Sequence, residues 1–349
     1  MSRLLHLVEL GIPLHHRFSN SQAAISERRV VLVGITEDGI TGWGEAAPYP
    51  GYTPETVEDV WEALTATGGG VFDGDRTEIP ATASAALGQA RTDLAARRDG
   101  IPLWSYLGGS GRPSMACAAI GVQESPHLLV ARVERMVEAG ARQVKIKIEP
   151  GRDVDHLRAV RERFSGLTVA ADANGSYRPN DPSLAELDDL GLAYLEQPLP
   201  ACDLDGHAGL RRRMGTPICL DEPATTAEAV ERIIGHDAAD LVSLKPGILG
   251  PVPTLRAIEV LSSAGVGVKI GGLVETSVGR AHALALASRP SVSYTDMVPP
   301  LWLLAADPSP HEWGVVNGLL FPLDEPGLEV RTGEAPVSAC VSRTADFAL

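Results

Sequence analysis

Between residues 143 and 296, short β-branched apolar runs alternate with stretches whose apolar residues recur at helical spacing. The runs cover 143–148, 167–171, 193–195, 218–220, 241–244, 266–270 and 292–294, with helical patterns such as 153–164, 226–234 and 252–264 between them. They stop at Lys147, Asp172, Glu196, Asp221, Lys245, Gly271 and Asp296, at intervals of 25, 24, 25, 24, 26 and 25 residues. An earlier run, 116–120, ends at Gly121, 26 residues before Lys147. One strand, one helix and two short loops fill about 25 residues, and eight such units close into a barrel. The pattern predicts an α/β fold with a modified (β/α)8, TIM-like barrel over 114–298.

Residues 1–113 follow another pattern. Two β-rich runs, 30–35 and 40–45, flank Glu37-Asp38-Gly39, which reads as a hairpin turn. Helical patterns cover 55–66 and 81–98, the second stopping before Gly100 and Pro102. Strands first and helices second predict a separate α+β unit.

Composition narrows the partners. The chain has 349 residues with 30 Lys+Arg and 45 Asp+Glu, a net charge of −15, which opposes binding to nucleic acid or an anionic membrane surface. Hydrophobic residues make up 44% and charged residues 21%, which excludes disorder as the dominant state. Cys117, Cys202, Cys219 and Cys340 have no metal-ligand spacing and read as core fillers in a reducing compartment rather than a disulfide framework. No apolar run reaches the roughly 18 residues of a membrane span, and Glu9 and His15-His16 interrupt the N-terminus, so a cytoplasmic location is expected.

The strand ends carry the chemistry, because side chains there converge on the barrel axis. A single acidic strand end reads as a helix cap or a solvated loop residue. Three in succession, Asp172, Glu196 and Asp221, in register with the period and flanked by lysines, suit a hard divalent cation, most simply Mg2+. Asn174 and Glu222 lie beside them: Asn174 either hydrogen-bonds a ligand carboxylate or turns the loop before Gly175, and Glu222 orients a lysine or metal ligand. Such an ion acidifies the proton α to a bound carboxylate. Lys147 is then the candidate base, with Lys145 on the same strand face and the ion both favouring its neutral form. Lys245, three units further on, approaches from the opposite side.

These motifs resemble the enolase superfamily, and within it the muconate-lactonising subgroup, with Lys-x-Lys on the second barrel strand and a lysine on the sixth. Gly42-Trp43-Gly44-Glu45, Pro48 and Tyr52-Thr53-Pro54-Glu55-Thr56 are similar to the hairpin and loop of that family's cap. The stretches Asp93-Leu94-Ala95, Pro102-Leu103 and Leu107-Gly108-Gly109 are similar to its interdomain helix and following turn. The resemblance implies a cap of residues 1–113, completed by 299–349, over the barrel. Gly271-Gly272-Leu273-Val274-Glu275-Thr276-Ser277 is similar to a motif of the o-succinylbenzoate synthases and N-succinylamino acid racemases. It implies Gly271, Gly272, Leu273 and Glu275 as contacts of a succinyl side chain. Arg17-Phe18-Ser19-Asn20-Ser21 stands where the cap's specificity loop falls, which implies Phe18 and Ser19, and His15 and His16 are neighbouring candidates. The eighth strand brings Asp296, but Val298 stands where dipeptide epimerases of the subgroup carry a second aspartate. Pro223 follows Asp221-Glu222 where the family usually has serine.

The implied reaction is the Mg2+-dependent syn-dehydration of 2-succinyl-6-hydroxy-2,4-cyclohexadiene-1-carboxylate to o-succinylbenzoate, a lyase step in menaquinone synthesis. It proceeds by α-proton abstraction and a metal-stabilised enediolate. An isomerase (N-succinylamino acid racemase or dipeptide epimerase), a muconate-type cycloisomerase and a non-catalytic carboxylate-binding barrel remain open. The partner expected is a small carboxylate molecule, and the exposed barrel rim leaves room for a homo-oligomer.

Overall fold

The computed structural model describes residues 3–19, 23–67, 79–311 and 313–349; Asn20 and Ser21 of the expected specificity loop lie outside them. The chain opens with β1 (Arg3–Ser19), antiparallel to β2 (Ala24–Glu37), which turns back into β3 (Ile40–Ala46). Asp38 and Gly39 both have positive φ, 52° and 81°, the backbone that fits a two-residue hairpin to twisted strands. β1 is the longest strand and escaped the sequence pattern, because His6, Glu9 and His15–Arg17 interrupt its apolar positions. Its buried Glu9 is neutralised by Arg29 at 2.6 Å and by Arg343.

Alternation sorts this sheet's side chains onto two covered faces. Leu5, Leu7, Val31 and Val33 pack against α1 (Val57–Thr67) and α2 (Ala81–Asp99) through Val60, Leu64, Ala86 and Leu94. Leu10, Ile12, Val30 and Leu32 pack the other way, against Val278, Ala281 and Leu304. Burial on both faces explains why residues 30–35 read as a continuous apolar run. Gly42 and Gly44 of β3 lie directly on α2, where a Cβ on either would collide with the carbonyl oxygens of Ala90 and Ala86.

The barrel strands are β4 (Cys117–Ile120), β5 (Gln143–Lys147), β6 (Thr168–Asp172), β7 (Leu195–Glu196), β8 (Ile218–Leu220), β9 (Leu241–Leu244), β10 (Gly267–Ile270) and β11 (Val292–Thr295). They form one parallel eight-stranded sheet in sequential order. Cys117 N donates to Met297 O at 2.9 Å and Gln143 Nε2 to Thr295 O at 3.2 Å, which brings the two edges of the sheet together. Helices α3 (Pro126–Glu138), α4 (Val154–Arg163), α5 (Ser183–Asp188), α6 (Leu204–Arg211), α7 (Ala227–Gly235), α8 (Pro251–Ser263) and α9 (Ser277–Ala287) follow the strands in turn. The expected α/β architecture is therefore present, and each strand ends at, or one residue before, the position marked by the 25-residue period. The chain finishes on β12 (Val341–Ala348), which returns to pair antiparallel with β1. The four cysteines are free, but only Cys117 and Cys219 fill the core; Cys202 is exposed and Cys340 half-buried, each in a surface segment outside the barrel strands. Among the described residues no helix is long and apolar enough to cross a membrane.

Cap and barrel are joined by buried polar contacts that give Gly42-Trp43-Gly44-Glu45 a physical meaning. The Glu45 carboxylate accepts from Thr276 N at 3.0 Å, Thr276 Oγ1 at 2.6 Å and Gly279 N at 2.9 Å, at the N-terminus of α9. Burial pushes its carboxyl up to about 7, although the Thr276 hydrogen bonds oppose the shift. Between its ordinary value of 4.5 and about 7, the folded chain holds a proton that the unfolded chain has released. This group's contribution is thus complete below about pH 4.5 and shrinks as pH rises towards 7. A Glu45→Gln variant should show a flatter dependence of thermal midpoint on pH across that window. Identical slopes in the two proteins would refute the assignment.

Candidate active site at the barrel mouth

Strand register sets the site. Lys147 pairs with Asp172 across β5 and β6, and Asp172 pairs with Glu196 across β6 and β7, so three strand ends lie side by side. Lys145, two residues before Lys147, shares its face, while buried Ile146 points the other way into the helical layer. Asn174 and Gln197 turn the chain just past β6 and β7 with φ of 44° and 41°, in the left-handed region. The Gln197 side chain accepts from Asp221 N at 3.0 Å and donates to Leu199 O at 3.0 Å, tying the end of β8 to that of β7.

Charges alternate through the site. Lys145 Nζ lies 2.7 Å from Asp296, 3.0 Å from Asp172 and 3.2 Å from Glu196. Lys147 Nζ donates to Asp172 at 2.7 Å and to Asn174 Oδ1 at 2.8 Å. Lys245 Nζ pairs with both oxygens of Asp221 and sits 4.2 Å from the centre of the Tyr52 ring. Burial alone would raise every one of these carboxyls. For Asp172 the charges of Lys147 and Lys145 more than offset it and hold the group well below the usual carboxylate range; Lys245, with Lys269 and Lys145, lowers Asp221 against the same burial. Glu196 is raised, by burial and then by the charge of Asp172. Burial, Asp221 and Asp172 push Glu222 up to about 7; it accepts from Asn174 Nδ2 at 2.9 Å, and its other oxygen is buried without a partner.

Asp172, Glu196, Asp221 and Asp296 are each paired with lysine, and among the described residues no three His, Cys, Asp or Glu side chains form a tight cation cage. The donor set nevertheless fits a hard divalent cation. Asp172, Glu196 and Asp221 are buried oxygen donors at successive strand ends, and the ammonium groups between them mark where positive charge is required.

Lys145, Lys147, Lys245, Asn174, Asp221 and Asp296 line one cavity, whose remaining wall is largely aromatic and aliphatic: Phe18, Tyr49, Tyr52, Leu273, Val298 and Leu303. Gly272 also reaches it. Gly271 packs against Ser243, Ser19 lies against Gly121, and Glu275 pairs at 3.0 Å with buried Arg280, which itself lines the cavity. Val274 has φ of 60°, a strained conformation for a β-branched residue. Its carbonyl is held by Arg28 of β2 at 3.1 Å, so the cap fixes the strained loop as well as α9. His282 is buried against Trp43 O at 3.0 Å and has a packing role. Pro223 sits in a turn in which Ala224 N donates to Asp221 O at 3.0 Å.

Three participants were not singled out from sequence. Lys269 of β10 is fully buried and bridges Glu196 at 2.6 Å and Asp296 at 2.8 Å. Burial opposes its charge, but Asp296 and Glu196 more than compensate and raise its pKa. The available signal was a lysine alternating with apolar residues in Val268-Lys269-Ile270, as in Lys145-Ile146-Lys147. Tyr52 Oη donates to Asp221 at 3.1 Å, and Tyr194 Oη donates to Asp296 at 3.2 Å.

Comparison with known proteins agrees with this architecture. The family described as "Enolase C-terminal domain-like" matches residues 128–334, and "MenC, N-terminal domain" matches residues 2–95. The chain is 37% identical over 308 residues to an N-succinylamino acid racemase of Thermus thermophilus, covering 80% of this chain and 81% of the relative. It is 34% identical over 300 residues to an o-succinylbenzoate synthase of Geobacillus kaustophilus, covering 81% and 80%. A probable mandelate racemase from Alicyclobacillus acidocaldarius has a TM-score of 0.85 at 32% identity, over 100% of this chain and 99% of that one.

Proposed function

This chain belongs to the enolase superfamily, and from that premise we propose that it removes the proton α to a substrate carboxylate in the synthesis of o-succinylbenzoate. The reaction is the syn-dehydration of 2-succinyl-6-hydroxy-2,4-cyclohexadiene-1-carboxylate. The observation that carries this reading is that Lys147 and Lys245, from the second and sixth of eight barrel strands, reach one cavity with a largely apolar wall. Strands four apart stand on opposite sides of the barrel, so the lysines face the two sides of a flat ring.

In this reading Lys147 Nζ takes the proton from C1, and the electron pair passes into the carboxylate. The same nitrogen returns the proton to the C6 hydroxyl, which leaves as water while the pair forms the C1–C6 double bond and the ring becomes aromatic. Lys245, oriented by Asp221 and Tyr52, offers its ammonium group to the anion on the other side. Asp172, Glu196 and Asp221 would hold Mg2+, which when bound stabilises negative charge on the substrate carboxylate.

Dipeptide epimerisation has less support. A substrate ammonium needs a carboxylate to meet it, yet Asp296 is engaged by Lys145 and Lys269, and Val298 adds only an apolar surface. The test runs dehydration of the cyclohexadiene and racemisation of N-succinylamino acids side by side on one preparation. Mg2+-dependent dehydration with the higher kcat/KM is expected. Deuterium exchange and inversion of the succinylamino acid in D2O, with no dehydration, would reassign the protein to the isomerases.

A further inference from the structure

A second, polar cleft adjoins the catalytic cavity, between the end of β1, the loop after β4 and helix α3. Phe18, Ala119 and Leu303 stand in the walls of both, so the two spaces meet at that partition. His16, Arg17, Arg132 and Arg135 line the cleft, with Gln123 beside them. Arg132 and Arg135 are three apart on α3 and therefore share a face. Glu134 between them is drawn away to Arg163 at 2.5 Å. Among the described residues none of the three arginines pairs with a carboxylate. Burial, then the neighbouring Arg135, lowers the pKa of Arg132; burial, then Arg132 and Arg135, lowers that of His16. Among the described residues, positive charge is thus collected here without an ion-pair partner, in a chain of net charge −15 whose overall field repels anions.

We propose that this cleft is an oxyanion-binding entry site, which takes one carboxylate of a dicarboxylate substrate at the rim of the catalytic cavity. The inference rests on the reading that the cavity's substrate is an organic anion. Arg132 and Arg135 supply planar donors suited to bidentate contact with a carboxylate, and the local reversal of sign would steer the anion past a repulsive surface.

The test uses the full chain and an Arg132→Gln/Arg135→Gln double variant. The first arm follows kcat/KM between about 20 and about 300 mM salt. The wild type should lose about tenfold across that range, whereas the variant should start about tenfold lower and vary little, with kcat changed less than about twofold. An Arg132→Lys/Arg135→Lys variant should recover the salt dependence, because the charge is retained. The second arm needs no turnover: succinate binding, measured by calorimetry, should be at least about fivefold weaker in the Gln variant. Unchanged succinate affinity overturns the proposal whatever the kinetics do. Weaker succinate binding in a protein that neither dehydrates nor racemises its candidate substrates would uphold the entry site and overturn the functional reading instead.

Discussion

Lys147→Ala should lower kcat for dehydration by about 10³–10⁴-fold, near the upper end of what a positioned general base contributes. Loss of fold does not explain such an effect. Lys147 is one of two lysines on Asp172, and Lys145 remains 3.0 Å from that carboxylate in the variant. Thermal midpoints of the two proteins should therefore lie much closer than their activities. Lys147→Arg should not restore turnover, because a guanidinium stays charged and cannot accept the proton. Steady-state kinetics on the cyclohexadiene check the point. A loss below tenfold would remove Lys147 from the role of base.

Lys269→Met should be the most damaging single change to stability among the site residues. Methionine fills much of the same volume, but Glu196 and Asp296 lose a cation that lies within 2.8 Å of both. Lys145 stays within 3.2 Å of both carboxylates but is already shared with Asp172, so one ammonium would serve three buried carboxyls. Breaking a buried ion pair from one side costs about 3–5 kcal/mol, because the charge it balanced is left in a poorly polarisable interior. Urea unfolding in EDTA should report a loss of that size. Added Mg2+ should recover part of it, since an ion that binds only the folded state stabilises by mass action and Glu196 is one of its candidate ligands. A loss under about 1 kcal/mol, with no response to Mg2+, would reduce Lys269 to a filler of the barrel interior.

Legibility from sequence followed the range of the interactions. Each strand–helix unit is a local event of about 25 residues, so the period exposed the barrel and located Lys147, Asp172, Glu196, Asp221 and Lys245 at its strand ends. The Asp38-Gly39 turn was readable because two adjacent positive φ values demand that dipeptide. β1 was not, since its polar positions are satisfied by residues far along the chain, such as Arg343 for Glu9. Glu45 and Arg28 stood in readable strands, but what they hold, Thr276 and the Val274 carbonyl, appears only once cap meets barrel. Lys269 hid for the same reason: a lysine in a strand reads as a surface residue until two carboxylates from other strands enclose it. Glu275 was legible as a motif residue, but its partner Arg280, a buried cation in the cavity wall, was not.

Removal of the α-proton is the central claim, and a single-turnover isotope comparison tests it most directly. Mg2+-loaded protein in excess is mixed with the cyclohexadiene carboxylate bearing either hydrogen or deuterium at C1, and formation of the aromatic product is followed. The deuterated substrate should react measurably more slowly, because its C–D bond to the carbon beside the carboxylate breaks in the step assigned to Lys147. Equal rates for the two substrates would contradict that assignment.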